Sequence, residues 1–137
     1  MPSTFLVHRA EFCAAYRLHN EDFDQAWNER TFGICNSPNF HGHNYDLEVV
    51  VRGGVGEDSG MVMDLLKLAS LVQHKIISRV DHRNLNTDID FLEGIIPTTE
   101  NLASAFWAVL ESELPPSVEL AEIRLRESRD NQVILKK

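Results

Sequence analysis

Two segments near the start of the chain predict extended structure, residues 5–16 and residues 45–52, and apolar and polar residues alternate in the second of them. In the second segment the apolar side chains fall on one side of an extended backbone: Tyr45, Leu47, Val49 and Val51. A period of two predicts a half-buried β-strand. The first segment contains few strand breakers, and it predicts a strand as well.

The middle of the chain changes to a helical period. Asp64 is a suitable N-cap, and the apolar residues after it recur on one helical face: Leu65, Leu68, Val72 and Ile76. A second helix is predicted after Pro97, with Thr98 or Thr99 as its N-cap and Glu100 favourably placed in its first turn. Its apolar stripe consists of Leu102, Phe106, Val109 and Leu110.

Two further strands are predicted at residues 118–127 and 131–136. On the first of them one face carries Ala121, Ile123, Leu125 and Glu127. The order ββααββ predicts an α+β fold, with a four-stranded antiparallel sheet and two helices on one of its faces. The sheet edges and part of the other face are then expected to need an assembly partner.

Residues 18–39 are polar and rich in Asn and Asp, with one glycine and one proline. The pattern predicts a long connection between the first two strands. A connection of this length in a small protein is usually functional.

The length and the net charge of the chain limit the classes of protein to which it can belong. The chain has 137 residues, which predicts one domain over residues 1–137. A net charge of −8 argues against a nucleic-acid partner, and no apolar run approaches the roughly 20 residues that span a bilayer. The two cysteines, Cys13 and Cys35, follow no secretory signal, so we expect reduced thiols in a cytoplasmic protein.

Two histidines separated by one glycine, His41 and His43, begin the second strand. Side chains two apart on a strand point the same way, so both imidazoles face the apolar side. Two uncharged imidazoles there favour a metal site, because they are costly to bury without a partner. The alternative is a pair of hydrogen-bonded core histidines.

Four other residues carry reactive groups. Cys35, six residues before His41, is a candidate ligand, base or nucleophile, or else a small buried hydrophobe. Adjacent Asp81 and His82 form a carboxylate–imidazole pair, or else an ordinary helix end in water. Glu127 lies on the apolar face of a strand end, where it binds a guanidine-like heterocycle edge or is simply solvated.

Five motifs together resemble the 6-pyruvoyl-tetrahydropterin synthase family over nearly the whole chain: GICNSPNFHGHNY, GMVMDL, VDHRNLN, PTTEN and LRES. The resemblance implies a tunnelling fold (T-fold) and a homo-hexamer built from two trimers. It also implies a lyase of tetrahydrobiopterin biosynthesis. Such an enzyme converts 7,8-dihydroneopterin triphosphate into 6-pyruvoyl-tetrahydropterin and releases triphosphate.

The resemblance also assigns roles. It makes Cys35 the thiolate base, with Asp81 and His82 as its partners in proton transfer. It makes Glu127 the anchor of the pterin's amino-pyrimidine edge. It places Thr99 and Glu100 beside the pterin, and zinc on the substrate's side-chain oxygens with His41 and His43 as ligands.

One position departs from the family. The family's third zinc ligand is a histidine in a Phe-x-Ala-x-His-Arg-Leu motif, which reads FCAAYRL here and puts Tyr16 at that position. Three interpretations follow: Tyr16 binds the metal, His19 replaces it as third ligand, or Tyr16 hydrogen-bonds to a histidine and no metal is held tightly. The intact His41–Gly–His43 pair favours retained zinc.

Two other functions compete with the first. A 6-carboxytetrahydropterin synthase of queuosine biosynthesis would act on the same substrate, but that group typically has a shorter spacing between the cysteine and His-Gly-His. A pterin-binding protein with an altered metal site is suggested by Tyr16. Retention of Cys35, Asp81, His82 and Glu127 argues against it.

Overall fold

The computed structural model describes residues 2–137. Five strands carry the sheet: β1 (Thr4–Tyr16), β2 (His41–Gly53), β3 (Arg83–Asn84), β4 (Val118–Arg126) and β5 (Gln132–Lys136). The helices are α1 (Gln25–Phe32), α2 (Leu65–Val72), α3 (Ser78–Val80) and α4 (Thr99–Glu111), and a π-helical turn, Gln73–Ile77, joins α2 to α3. The predicted α+β class is confirmed.

The strands form one sheet in the order β3-β1-β2-β4-β5. The four long strands are antiparallel, as predicted, and β1 and β2 pair from Thr4↔Gly53 to Tyr16↔His41. The predicted four-stranded sheet was one strand short. The added strand β3 pairs in parallel with β1 through only two residues, and two residues carry no alternation that a sequence pattern can show.

The connection at residues 18–39 is more ordered than predicted. It contains α1 and a 3-10 turn at Gly33–Asn36. Asp24 caps α1 through its side chain, which accepts a hydrogen bond from the backbone N–H of Trp27. The helix has few apolar residues, and its single buried residue is Asn28. Polar packing of this kind leaves no hydrophobic period in the sequence.

The core lies between the sheet and the two main helical segments. From α2 and its continuation it takes Leu68, Val72, Ile76 and Val80, and from α4 it takes Leu102, Phe106 and Leu110. Leu65, predicted to share the buried face of α2, is 53% exposed. Asp64 and Thr98 are the caps, as predicted. Within residues 2–137, no helix is both long and apolar enough to cross a bilayer.

Strand β4 contains a β-bulge at Ala121. Val50 pairs with Glu122 and Val51 with Leu120, so Ala121 has no partner of its own. Ile123 and Leu125 are buried, as predicted, but before the bulge the buried residues are Val118 and Leu120. The predicted face that included Ala121 was therefore wrong, because the extra residue reverses the alternation.

Candidate functional site

A cavity of about 380 Å³ opens where the end of β1, the loop between β4 and β5, and the start of β5 meet the start of α4. Its walls include five residues that the sequence singled out: Tyr16, Cys35, Thr99, Glu100 and Glu127. The loop and β5 add Asn131, Gln132 and Val133, which no motif had indicated. The cavity therefore gathers a thiol, a phenol and a carboxylate from distant parts of the chain.

Glu127 is held by the first turn of α4. The hydroxyl of Thr99 donates a 2.6 Å hydrogen bond to Oε2 of Glu127. Thr99 is 6% exposed, and its neighbour Thr98 caps the helix by accepting from the N–H of Asn101. A cap and a buried hydroxyl thus fix the direction of one carboxylate in the cavity wall.

Cys35 lies in the 3-10 turn at Gly33–Asn36, and its carbonyl accepts a 2.8 Å hydrogen bond from the N–H of Leu18. The next residue, Asn36, is 3% exposed. Its Nδ2 donates to the carbonyl of Leu18 at 2.7 Å, and Gln25 in α1 donates to its Oδ1 at 2.9 Å. Arg17 donates from Nε to the carbonyl of Asn36 at 2.9 Å. Asn36 therefore ties the cysteine turn to α1 and to the two residues that follow β1.

Sequence reasoning missed Asn36, although it directly follows Cys35. The one available signal was this adjacency, because an asparagine in a polar connection belongs to no hydrophobic period. Its importance becomes visible only when the fold brings together its four hydrogen-bonding partners, which are Arg17, Leu18, His19 and Gln25.

The two histidines of the His-Gly-His motif lie beside Tyr16. The ring centroid of Tyr16 is 4.4 Å from that of His41 and 5.7 Å from that of His43. The Tyr16 hydroxyl lies 3.1 Å from Nε2 of His43. Gly42 permits this close strand pairing, because a Cβ on it would meet the carbonyl oxygen of Ala14 at 2.5 Å.

Burial sets the protonation of this cluster. It raises the pKa of Tyr16 above its ordinary value, and the nearby charges of Cys35 and Glu127 raise that pKa further. Burial also lowers the pKa of His41, and the charge of His43 lowers it more, although Glu127 opposes the shift. Both shifts favour the neutral forms, which are the phenol of Tyr16 and the unprotonated imidazole of His41.

His19, the alternative third metal ligand, lies elsewhere. Its Nδ1 is 2.9 Å from Nδ2 of Asn36, and its side chain lines a second cavity with Arg17, Phe40 and Asn86. β1 ends at Tyr16, and in the loop that follows it the His19 imidazole is turned toward Asn36 and not toward His41 and His43. Among residues 2–137, no three His, Cys, Asp or Glu side chains are grouped so as to hold a metal ion.

The Asp81–His82 pair is present, with His82 Nδ1 3.0 Å from Oδ1 of Asp81. The same carboxylate oxygen accepts a 2.9 Å hydrogen bond from the N–H of Cys13. This backbone donor, followed by His82, lowers the pKa of Asp81. The His82 side chain is 81% exposed, and neither residue lines the cavity of Cys35. The predicted proton-transfer partners are thus not brought together within one chain.

Comparison with known proteins connects this geometry to a family. The family model described as 6-pyruvoyl tetrahydropterin synthase matches residues 6–137. The 6-pyruvoyl tetrahydrobiopterin synthase of Drosophila melanogaster is 36% identical over 130 residues, covering 95% of this chain and 77% of the relative. The enzyme of that name from Homo sapiens is 37% identical over 128 residues, covering 93% of this chain and 88% of the human enzyme. The solved structure of Caenorhabditis elegans 6-pyruvoyl tetrahydropterin synthase superposes with a TM-score of 0.92 at 39% identity, covering 100% of this chain and 97% of that one.

Proposed function

Because this chain belongs to the 6-pyruvoyl tetrahydropterin synthase family, we propose that it is a lyase of the tetrahydrobiopterin pathway in the cytoplasm. Its proposed substrate is 7,8-dihydroneopterin triphosphate, and its products are 6-pyruvoyl-tetrahydropterin and triphosphate. We take residues 1–137 as one domain that carries this activity.

One observation supports the proposal above the others: Cys35, Thr99 and Glu127 line the same cavity. A pterin presents an amino-pyrimidine edge with adjacent N–H donors, and a carboxylate is the acceptor that fits such an edge. Thr99 fixes Oε2 of Glu127, so the carboxylate has a defined direction before the pterin arrives. Glu100 lies beside it at the cavity wall.

Cys35 is the proposed base. As a thiolate it takes a proton from a carbon of the substrate's side chain, and the triphosphate leaves with its bonding electron pair as the side chain rearranges. The turn that carries Cys35 is held by the Leu18 N–H and by Asn36. A fixed sulfur is what such a proton transfer needs, because the reacting atoms must stay within contact distance.

The Asp81–His82 pair enters the proposal through assembly. His82 is exposed on its own chain and lies outside the cavity of Cys35. In the proposed homo-hexamer, the pair from one subunit completes the cavity of a neighbour. Exposed apolar side chains support such packing, with Ile34 next to Cys35 90% exposed and Leu66 79% exposed.

Zinc is the cofactor that the resemblance implies, and bound zinc would supply Lewis-acid polarisation of the substrate's oxygens. His41 and His43 are suitable ligands, but the third position is Tyr16, whose hydroxyl is hydrogen-bonded to His43. The residues present do not form the usual three-ligand set. The proposed reaction therefore contains no step that depends on the metal.

The test is turnover of 7,8-dihydroneopterin triphosphate, with the products identified by mass spectrometry. We expect triphosphate and 6-pyruvoyl-tetrahydropterin from the native chain and almost none from Cys35→Ala. A product of the mass of 6-carboxytetrahydropterin would instead support the queuosine-pathway alternative. Tight pterin binding with no product would support the binding-protein alternative.

Shared sites are tested by mixing two inactive variants, Cys35→Ala and His82→Ala. After dissociation and reassembly together, some cavities combine an intact Cys35 with an intact His82 from the neighbour. Activity should reappear in the mixture and stay absent from either variant treated alone. A mixture that forms hexamers of both chains yet stays inactive would contradict the sharing.

A further inference from the structure

We infer that the phenol of Tyr16 takes the place of a metal ion in this chain, so that His41 and His43 form a hydrogen-bonded cluster with it instead of a zinc site. The inference deepens the proposed function, since it concerns the same cavity. It makes a claim about metal affinity that can be measured without any turnover.

The position of Tyr16 is the first argument. Tyr16 and His41 are direct partners in the β1–β2 pairing, and Tyr16 is 2% exposed. Its hydroxyl lies 3.1 Å from Nε2 of His43 while its ring packs 4.4 Å from the ring of His41. The phenol thus contacts both of the imidazoles that would otherwise be available to a metal ion.

Among residues 2–137, no third side chain of the usual zinc-binding types is grouped with His41 and His43. Two imidazoles alone make a weak zinc site, because tight protein sites use at least three ligands of Cys, His or carboxylate type. His19 is turned toward Asn36. Glu127 is hydrogen-bonded to Thr99. Across residues 2–137, the remaining candidates are too dispersed to complete a three-ligand group.

Replacing a metal ion with a phenol changes the chemistry that the cavity offers to a substrate. Tyr16 lines the cavity together with Cys35 and Glu127, so under this inference the wall of the cavity holds a phenol and no dication. A hydroxyl both donates and accepts hydrogen bonds. Substrate oxygens next to Cys35 would therefore be oriented by a hydrogen bond from Tyr16, without Lewis-acid polarisation.

The decisive experiment restores the missing ligand. Zinc chloride is titrated by calorimetry into the native chain and into Tyr16→His, Tyr16→Phe and the double variant Tyr16→His with His43→Ala, all first stripped with a chelator. Bound metal is counted by elemental mass spectrometry. Circular dichroism and size-exclusion chromatography confirm that each variant keeps the native fold and assembly.

We expect Tyr16→His to bind about one zinc per chain, because it then presents three histidines. Its affinity should exceed that of the native chain by at least about 100-fold, since even losing a hydrogen bond to a ligand costs about 10–100-fold. The double variant should lose this gain. Tyr16→Phe should bind zinc no better than the native chain.

Two results would overturn the inference. One is tight zinc in the native chain that disappears in Tyr16→Phe, which would make the phenolate a ligand. The other is a folded Tyr16→His variant with no gain in zinc. If that variant does not fold, zinc binding by the native chain and by Tyr16→Phe still tests the inference. About one tightly bound zinc in the native chain would already contradict it.

Discussion

Thr99 and Glu127 are 28 residues apart in sequence, and the Thr99 hydroxyl donates to the Glu127 carboxylate over 2.6 Å. The bond links the first turn of α4 to the residue that follows β4. Burial of Thr99 keeps water from competing for the carboxylate oxygen. The helix start therefore orients the group proposed to recognise the pterin.

Replacing Thr99 with valine removes this hydroxyl and keeps the shape of the side chain. Glu127 then loses its orienting donor, and we expect pterin affinity to fall about tenfold, equivalent to about 1.4 kcal/mol. Fluorescence titration with a pterin measures the change. Thr87→Val is the matched control, because Thr87 also donates to a carboxylate, that of Asp88, but lies outside the cavity. Equal affinities for native protein and Thr99→Val would contradict the anchoring role.

Asn36→Ala should change the reactivity of Cys35. The substitution deletes the amide that joins the cysteine turn to Leu18 and Gln25, so we expect a loss of about 2 kcal/mol in unfolding free energy. We also expect the rate at which iodoacetamide alkylates Cys35, measured as a function of pH, to differ several-fold from that of the native protein. The reason is that the sulfur is no longer held in one environment.

Asn28→Ala is the control for this experiment. Asn28 is equally buried and lies in the same connection, where its side chain bonds to the backbone of Asn20, Phe23 and Asp24. Its loss should reduce stability by a similar amount but leave Cys35 alkylation unchanged. If both variants altered alkylation alike, Asn36 would have only a structural role.

Phe40 precedes His41 and has a positive φ of 66°, a conformation that is unfavourable for a bulky residue. Phe40→Gly and Phe40→Ala remove the same ring, but only glycine relieves the backbone. The glycine variant should therefore be more stable than the alanine variant by about 1 kcal/mol. Urea unfolding measures the difference. At Asn39, which lacks a positive φ, the order should reverse in favour of alanine; the same order at both positions would contradict strain at Phe40.

Tyr45→Phe should stabilise the protein by about 1 kcal/mol at neutral pH, because a buried hydroxyl without a partner is costly. Tyr45 is 1% exposed, and within residues 2–137 its hydroxyl has no hydrogen-bond partner. Its ring stacks on Phe12 at a centroid distance of 4.7 Å, and phenylalanine keeps that contact. Tyr16→Phe is the contrast, since it loses the bond to His43 and should reduce stability.

The same variant predicts a pH dependence. Burial raises the pKa of Tyr45, while a tyrosine in the unfolded chain ionises near pH 10. Above that pH the unfolded chain loses the proton that the folded chain retains, so stability falls as pH rises. Tyr45→Phe removes this loss. The amount by which its unfolding free energy exceeds that of the native protein, measured with urea, should therefore grow between about pH 8 and pH 11, on either side of the ordinary tyrosine pKa of about 10. A constant difference would contradict the raised pKa.

The long strands were predictable, because Tyr45, Leu47, Val49 and Val51 place one apolar face of β2 in the core, and because residues 5–16 in β1 contain few strand breakers. The caps at Asp64 and Thr98 were also predictable, since capping depends on side chains next to the backbone they bond. α1 was not, because its buried residue is Asn28 and not an apolar stripe. β3 depends on the return of the chain after α3, which no local pattern encodes.

The site was predictable as a set of residues and not as an arrangement. Cys35, Thr99 and Glu127 were identified one by one, and the fold brings them to one cavity. The contact of Tyr16 with His43 was one of the three interpretations that the sequence left open. The separation of Asp81 and His82 from that cavity follows from strand register and loop path, which are long-range properties that the residues alone could not reveal.

The bulge at Ala121 has a consequence for how this protein can change length. Leu120 and Glu122 pair with neighbouring residues of β2, Val51 and Val50, so a chain without Ala121 would restore an uninterrupted ladder. Every remaining side chain of β4 would keep its present face. A single-residue deletion within a buried strand normally turns the apolar side chains outward. Deletion of the bulge residue Ala121 does not have this effect, and a natural or engineered deletion there would preserve the core.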